Sequence, residues 1–562
     1  VASLTDTPWI SSYPKGKEWD ISIKPMPLWA LLDHAASRFP SHPAIEFMGK
    51  RYQYADFAEQ VDKLAAGFQA LGIGKGVHVG LFLPNCPAFV ISYFAILKAG
   101  GTVVNFNPLY SPAEIIHQSR DAMVSVMITA NLAITLGKLL PIRQECGIEK
   151  LVVVDFPHQL PMLKGLAFRL LKHSHLQAFT ATNDLLRWEP LLHSEHRLIA
   201  PEIDPLKDIA VLQYTGGTTG TPKGAVLTHA NLYSNAMQCM EWVRGTLIPG
   251  EERFLGVLPL FHVFAMTAIM NLGIALGAQL ILQPRFELKQ LLGALKRHRP
   301  TAMPGVPAMY NAISQALEKN PALADIKSLK ACISGGAPLP VEIKQRFENL
   351  TGSALVEGYG LTEASPVCAC NPLKGETKAG SIGLPFPATR FSIRSQESPF
   401  EALPFGEHGE LCISGPQVMR GYWQKPEEDK LCFITDKTGR TWLRTGDIGT
   451  MDKQGYVHVL DRLKDMIITN GYKVYPRQVE EALYAHESVS ECAVIGEEDP
   501  SCGQRVTAFI VLRKDHTASE TTLKNHLQRH IAKYALPKCF HFVESLPKSI
   551  IGKVLKKNLK GE

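Results

Sequence analysis

Tyr214-Thr-Gly-Gly-Thr-Thr-Gly-Thr-Pro-Lys-Gly224 places four glycines, four threonines and one lysine between the apolar runs 209–212 and 225–227. Backbone N–H groups and hydroxyls, with little side-chain bulk around one cation, are the chemistry for gripping a polyphosphate. The loop is not a Walker A sequence, because Lys223 follows Pro222 and precedes Gly224 instead of Ser or Thr. The plainer alternative is a flexible Gly/Thr hairpin turn.

Around this loop the chain runs to 562 residues, too long for one core, so two or more domains are expected. With 45% hydrophobic and 20% charged residues the composition is globular and excludes wholesale disorder. A net charge of +6 over this length suits anionic substrates and is too weak to argue for nucleic acid. Eleven cysteines are scattered from Cys86 to Cys539 without a CxxC pair, and read as reduced thiols. The first 17 residues have no apolar core of a signal peptide, so a cytoplasmic location is expected. The most membrane-like run, 264–282, is interrupted by Asn271, Gly273, Gly277 and Gln279 and reads as a buried helix–strand pair.

From residue 27 to 155, helical patterns (28–39, 55–71, 89–97, 112–120, 132–146) alternate with strand-like runs (77–83, 102–106, 124–129, 150–154). Such alternation implies parallel βαβ units. Gly72-Ile-Gly-Lys-Gly76 follows a helix and lacks the full dinucleotide fingerprint, so it reads as a helix cap and turn. Segment 161–176 carries Met162, Leu163, Leu166, Leu170 and Leu171 at helical spacing, with Lys164, Arg169, Lys172 and His173 between them. It reads either as a helix for an anionic membrane surface or as an ordinary half-buried surface helix. Residues 380–460 are rich in β and turn signals, and the last hundred restart a small α/β pattern with helices at 476–487 and 520–534 and strands at 491–496 and 506–513. The charged stretch 461–465 marks a domain boundary and candidate hinge.

Further motifs follow the phosphate-type loop in order: Pro259-Leu-Phe-His-Val-Phe264, Ser334-Gly-Gly-Ala-Pro-Leu-Pro340, Gly358-Tyr-Gly-Leu-Thr-Glu363, Arg444-Thr-Gly-Asp447, Asp461-Arg462, Asn470-Gly-Tyr-Lys473 and Pro547-Lys-Ser-Ile-Ile-Gly-Lys553. Together they cover nearly the whole chain and resemble the adenylate-forming superfamily of acyl-CoA synthetases, luciferases and adenylation domains. The likeness is greatest to bacterial long-chain fatty acyl-CoA synthetases. The resemblance implies an α/β protein with a large N-terminal domain (1–461) of βαβ subdomains plus a distorted β-barrel subdomain. A small mobile α+β lid (462–562) completes it.

It also implies roles. Thr215, Gly216, Gly217, Thr218, Thr219, Gly220 and Lys223 would hold the β- and γ-phosphates of ATP. Gly335, Gly336, Ala337, Gly358, Tyr359 and Gly360 would form the adenine site. Thr362 would reach phosphate, and Glu363 would supply an oxygen ligand for Mg²⁺. Asp447 would bind the ribose hydroxyls, and Arg462 the ribose or α-phosphate. The family usually has Gly-Arg where this chain has Asp461-Arg462. His262 would border the acyl channel, although a histidine in an apolar run is more often a core residue. Met266 stands where some relatives carry a tryptophan gate. Lys464 falls at the hinge, Gly471 beside the pantetheine arm of coenzyme A, and Lys553 between carboxylate and α-phosphate.

The implied activity is ATP-dependent ligation of long-chain fatty acids to coenzyme A through an acyl-adenylate. Alternatives are an acyl-AMP ligase loading a carrier protein, a ligase for medium-chain or aryl acids, and a non-catalytic fatty-acid-binding membrane sensor. The joint presence of Lys223, Glu363, Asp447, Arg462 and Lys553 argues against the sensor. The expected ligands are fatty acid, ATP, Mg²⁺ and coenzyme A, without nucleic acid. Peripheral contact with the inner face of the cytoplasmic membrane through 161–176 is weighed, and a homodimer is left open.

Overall fold

The computed structural model describes residues 7–215, 222–320, 326–470, 472–500, 502–549 and 552–559. Among them the strands form four sheets. The first is seven-stranded, in the order Leu185–Arg187, Lys150–Val154, Val124–Ala130, His78–Phe82, Thr102–Asn105, Ile209–Thr215, Lys223–Thr228. Every neighbouring pair is parallel except the last, an antiparallel pair formed by the strands on either side of residues 216–222. The second sheet is nine-stranded, and its parallel centre runs through Leu355–Gly360, Ala331–Ser334, Ala302–Gly305, Arg253–Gly256, Gln279–Leu282 and Pro43–Phe47. Strands such as His78–Phe82 and Thr102–Asn105 are buried throughout, as expected for a sheet covered on both faces.

The βαβ alternation holds, with ends set by local chemistry. Helix Pro87–Ala99 opens on a proline and stops at Gly100, which takes the left-handed conformation at φ 96°. Ser111 and Glu114 form a capping box at the start of Pro112–Asp121, and Thr228 and Asn231 do the same for His229–Val243. Gly72 lies at φ 89° just past Tyr54–Ala70, the cap and turn expected there. The apolar run 264–282 is a buried helix–strand pair: its middle, Met266–Asn271, is a π-helical turn, and the strand is Gln279–Leu282. Among the described residues no helix is long and apolar enough to cross a membrane.

The segment 390–462 forms the β-rich subdomain, an antiparallel five-stranded sheet around the long, irregular strand Thr441–Met451. Strands between Ile467 and Phe542 make the fourth sheet, with a core cluster of its own around Ile467, Val479, Val494, Ala508 and Leu523. The expected helix 520–534 ends at Leu527, and Lys533–Ala535 is a separate short turn.

Helix Met162–Leu171 buries only Gly165 fully and leaves Met162, Leu163, Leu166, Leu170 and Leu171 exposed. Two of its cations are engaged inward: Lys164 donates to the Met48 carbonyl at 2.6 Å, and Arg169 pairs with Asp155. The outward face of this helix is therefore apolar more than basic.

Candidate active site

A cavity of about 570 Å³ lies where the C-terminal segment meets the ends of the second sheet. Gly336, Ala337, Gly358, Tyr359 and Gly360 line one side. Asp447, Arg462, Lys464 and Lys553 line another. Open α/β sheets place ligands at the carboxyl ends of their strands, and strands Ala331–Ser334 and Leu355–Gly360 deliver the first group there. Gly336 has φ 78°, a conformation that favours glycine. Gly335 lies behind the wall, where an added Cβ would come within 3.0 Å of the Phe264 ring.

Asp447 is the electrostatic centre of the far side. It accepts the Tyr359 hydroxyl at 2.5 Å, and Arg462 Nε lies 3.0 Å from its other oxygen. These residues come from adjacent strands, for Asp447 pairs directly with Arg462 in register. Burial and the Asp447 carboxylate keep the Tyr359 phenol well above its usual range. The ring therefore stays a neutral, flat surface.

Lys553 reaches this cluster from the far end of the chain. Its backbone N–H donates to Ser549 Oγ at 3.2 Å, closing a tight turn. The preceding Gly552 sits so near the large domain that an added Cβ would lie 3.2 Å from Val306 Cγ2. Burial, then the nearby Arg462 guanidinium, lowers the Lys553 ammonium to about 8. His262 lies within the electrostatic reach of Lys553. Burial foremost, with that cation second, lowers its imidazole to about 4. Its Nδ1 accepts the Phe264 N–H at 3.3 Å, so the neutral ring carries its proton on Nε2.

Tyr422 joins the hairpin of strands Ile209–Thr215 and Lys223–Thr228 to Glu363. Its hydroxyl donates to Glu363 Oε1 at 2.7 Å, while Lys223 Nζ stands 5.5 Å from its ring centre. Lys223 is also ion-paired with Glu428. Thr215 ends the first hairpin strand directly opposite Lys223. Thr362 opens the short turn Thr362–Ala364 that presents Glu363. Gly216, Gly217, Thr218, Thr219, Gly220 and Gly471 lie outside the described residues.

Met266 is fully buried away from the cavity wall, with its sulfur 3.4 Å from Asn105 Nδ2. Among the described residues no group of three or more His, Cys, Asp or Glu could hold a metal by itself. A lone carboxylate, Glu363, with one oxygen uncommitted to Tyr422 still fits Mg²⁺. That ion keeps waters and takes one or two carboxylates plus substrate phosphates.

Tyr422, Glu428, Glu357 and Arg477 escaped the sequence reading, and Lys556, in a basic tail whose lysines read as solvated surface, instead pairs with Glu480. For Arg477 a signal existed: a cation in the first turn of helix Pro476–Tyr484 opposes the helix dipole and calls for a tertiary partner.

A cavity that joins a sheet-end glycine wall, the buried Asp447 carboxylate with its Arg462 partner, and a lysine from the C-terminal segment is the arrangement of an adenylate-forming enzyme. The chain belongs to the AMP-binding enzyme family, matching it over residues 32–423, with the family's C-terminal domain over 478–553. It is 42% identical to a long-chain-fatty-acid–CoA ligase of Bacillus subtilis (strain 168), over 98% of this chain and 97% of that protein. It is 37% identical to the ligase of the same name from Salmonella typhimurium, over 99% and 98% of the two chains. Among solved structures, ATP-bound MatB from Rhodopseudomonas palustris superposes with a TM-score of 0.82 at 27% identity, covering 95% of this chain and 98% of that one.

Proposed function

We propose that this protein joins long-chain fatty acids to coenzyme A at the expense of ATP, through an acyl-adenylate, releasing AMP and pyrophosphate. The observation that carries the reading is the meeting of Lys553 with Asp447, Arg462 and Tyr359 around one cavity, in a chain similar along its full length to long-chain-fatty-acid–CoA ligases.

In the first half-reaction a carboxylate oxygen attacks the α-phosphorus and pyrophosphate leaves. Both reactants are anionic, so the barrier falls where fixed cations and N–H dipoles meet the converging charge. Lys553 bridges carboxylate and α-phosphate, and Arg462 adds a second cation. Asp447 orients the ribose, and Tyr359 offers its face to the adenine between the backbone segments at Gly335–Ala337 and Gly358–Gly360. His262 offers its Nε2–H at the acyl side, and Met266 packs behind that wall. The 215–220 loop and Lys223 hold the outer phosphates, with Thr362 beside them. Mg²⁺ held by Glu363 neutralises phosphate charge when bound.

In the second half-reaction the thiolate of coenzyme A attacks the acyl carbon and expels AMP. The boundary belongs at 461/462, where the lid (462–562) turns about Lys464 to withdraw Lys553 and present the Gly471 loop to pantetheine. The separate core of the 467–536 region supports such a body. The reading includes a cytoplasmic protein whose 161–176 segment touches the membrane surface, supported by its exposed apolar stripe.

A coupled AMP-release assay tests this, with straight-chain acids from butyrate to stearate, and benzoate, with and without coenzyme A. Thioester formation that favours the long acids supports the reading. Turnover only with a carrier protein, or only with benzoate, overturns it.

A further inference from the structure

Helix Pro476–Tyr484 faces the cavity with contacts that no part of the reaction uses. Arg477, only 6% exposed, makes four polar contacts. Its backbone N–H donates to Asp461 Oδ2 at 2.8 Å, and Nη1 donates to the Val459 carbonyl at 2.9 Å. Nη2 lies 3.4 Å from Glu357 Oε1, and Nε is 3.1 Å from Glu481 Oε1 on its own helix. Three of the four partners, Glu357, Val459 and Asp461, precede the proposed hinge at Lys464. Glu357 is the residue immediately before the Gly358–Gly360 wall.

One turn along the same helix, Glu480 Oε1 accepts the Lys556 ammonium at 2.7 Å and the Val494 N–H at 2.8 Å. Lys556 stands three residues past Lys553. One helix thus grips the large domain with Arg477 and the Lys553 segment with Glu480. Burial drives the Glu357 carboxyl up to about 7, opposed first by Arg477, and drives Asp461 up to about 6, opposed first by Lys556. The buried charges on the two sides of the hinge therefore depend on one another.

We propose that Arg477 is a positioning residue: through Glu357 and the Val459 carbonyl its guanidinium fixes the lid in the adenylate-forming orientation, and the Glu480–Lys556 pair carries that placement to Lys553. The bracket rests on the two-orientation ligase reading above. Arg477 touches neither reacting group. Its loss costs the first half-reaction and spares the second, because the contacts across the hinge must part when the lid turns.

The test uses the full chain in single turnover. Arg477→Met lowers pyrophosphate release from oleate and ATP by about tenfold to a hundredfold. Thioester formation from synthetic oleoyl-AMP and coenzyme A stays within about threefold of the parent. Lys556→Met, acting from the other end of the bracket, gives the same split. Glu357→Gln keeps an acceptor for Arg477 and restores part of the first half-reaction relative to Glu357→Ala. Equal loss of both half-reactions in variants with an unchanged melting temperature overturns the bracket, as does an unchanged first half-reaction. Failure of the parent protein to make thioester from oleoyl-AMP would instead overturn the ligase reading.

Discussion

Arg462 Nε lies 3.0 Å from Asp447 Oδ1, and that pair is the charged floor of the cavity. Asp447 is only 4% exposed and also holds the Tyr359 hydroxyl, so its carboxylate aligns a cation and an aromatic face at once. Asp447→Asn removes the charge that steadies Arg462 and weakens an acceptor for ribose. We expect KM for ATP to rise by about tenfold or more, one charge-assisted contact being worth about 1.5–3 kcal/mol. The apparent affinity for fatty acid should change much less. Equal increases for both substrates would mean that Asp447 holds the fold and not the nucleotide.

The pH profile should carry the signature of Lys553. Burial lowers its ammonium to about 8, so the cation is present below that pH and is lost above it. kcat/KM reports the free enzyme. For adenylate formation it should fall by about a factor of ten per unit once pH passes the lysine's value, since only the charged form bridges the two anions. Lys553→Arg should flatten that limb because arginine stays charged. A limb that persists in the arginine variant would assign the titration to another group.

Much of this site was legible in the sequence because glycine-rich loops and their spacing encode backbone approach directly. The resemblance carried by the motifs implied one site for Tyr359, Asp447, Arg462 and Lys553, and the cavity does gather them. Which residues Arg477 and Tyr422 pair with was not legible, for a physical reason. Their partners, Glu357 and Glu363, lie 120 and 59 residues away, and such pairings leave no local period. The helix 162–171 was legible as amphipathic, yet which face pointed outward was not. Asp155 and Met48 draw its cations inward and leave the leucines exposed.

Met266 has no exposed surface, so enlarging it first tests packing. Met266→Trp should lower stability by about 1–3 kcal/mol, the usual cost of overfilling a core. A residue at the mouth of the acyl channel would instead leave the melting temperature in place and raise KM for long acids more than for short ones.

The apolar helix face makes a prediction that differs from a purely electrostatic one. Leu166 and Leu170 are 55% and 68% exposed, whereas Lys164 and Arg169 are tied to Met48 and Asp155. If this face enters a bilayer interface, each leucine contributes about 1.5–3 kcal/mol when buried. Leu166→Glu with Leu170→Glu should then abolish sedimentation with phosphatidylglycerol-containing vesicles and spare activity on dissolved short acids.

The last prediction separates the two half-reactions at the reacting cation itself. Lys553 is half-buried beside Arg462 and Asp447, in a turn whose Gly552 approaches Val306 of the large domain. On the proposed ligase reading, removing its ammonium leaves the converging carboxylate and α-phosphate charges without their bridge. The loss of one preorganised electrostatic contact is about 3–4 kcal/mol, or roughly a few hundredfold in rate. Lys553→Ala should therefore lose pyrophosphate release from oleate and ATP on that scale. Supplied with oleoyl-AMP and coenzyme A, the same variant should still form thioester, because the acyl carbon is already activated and the lysine has turned away. The larger loss at Lys553 than at Arg477 is itself expected, since one residue meets the reacting charge and the other only holds it in place. If Lys553→Ala lost both steps equally while keeping its melting temperature, the turning lid would not describe this protein.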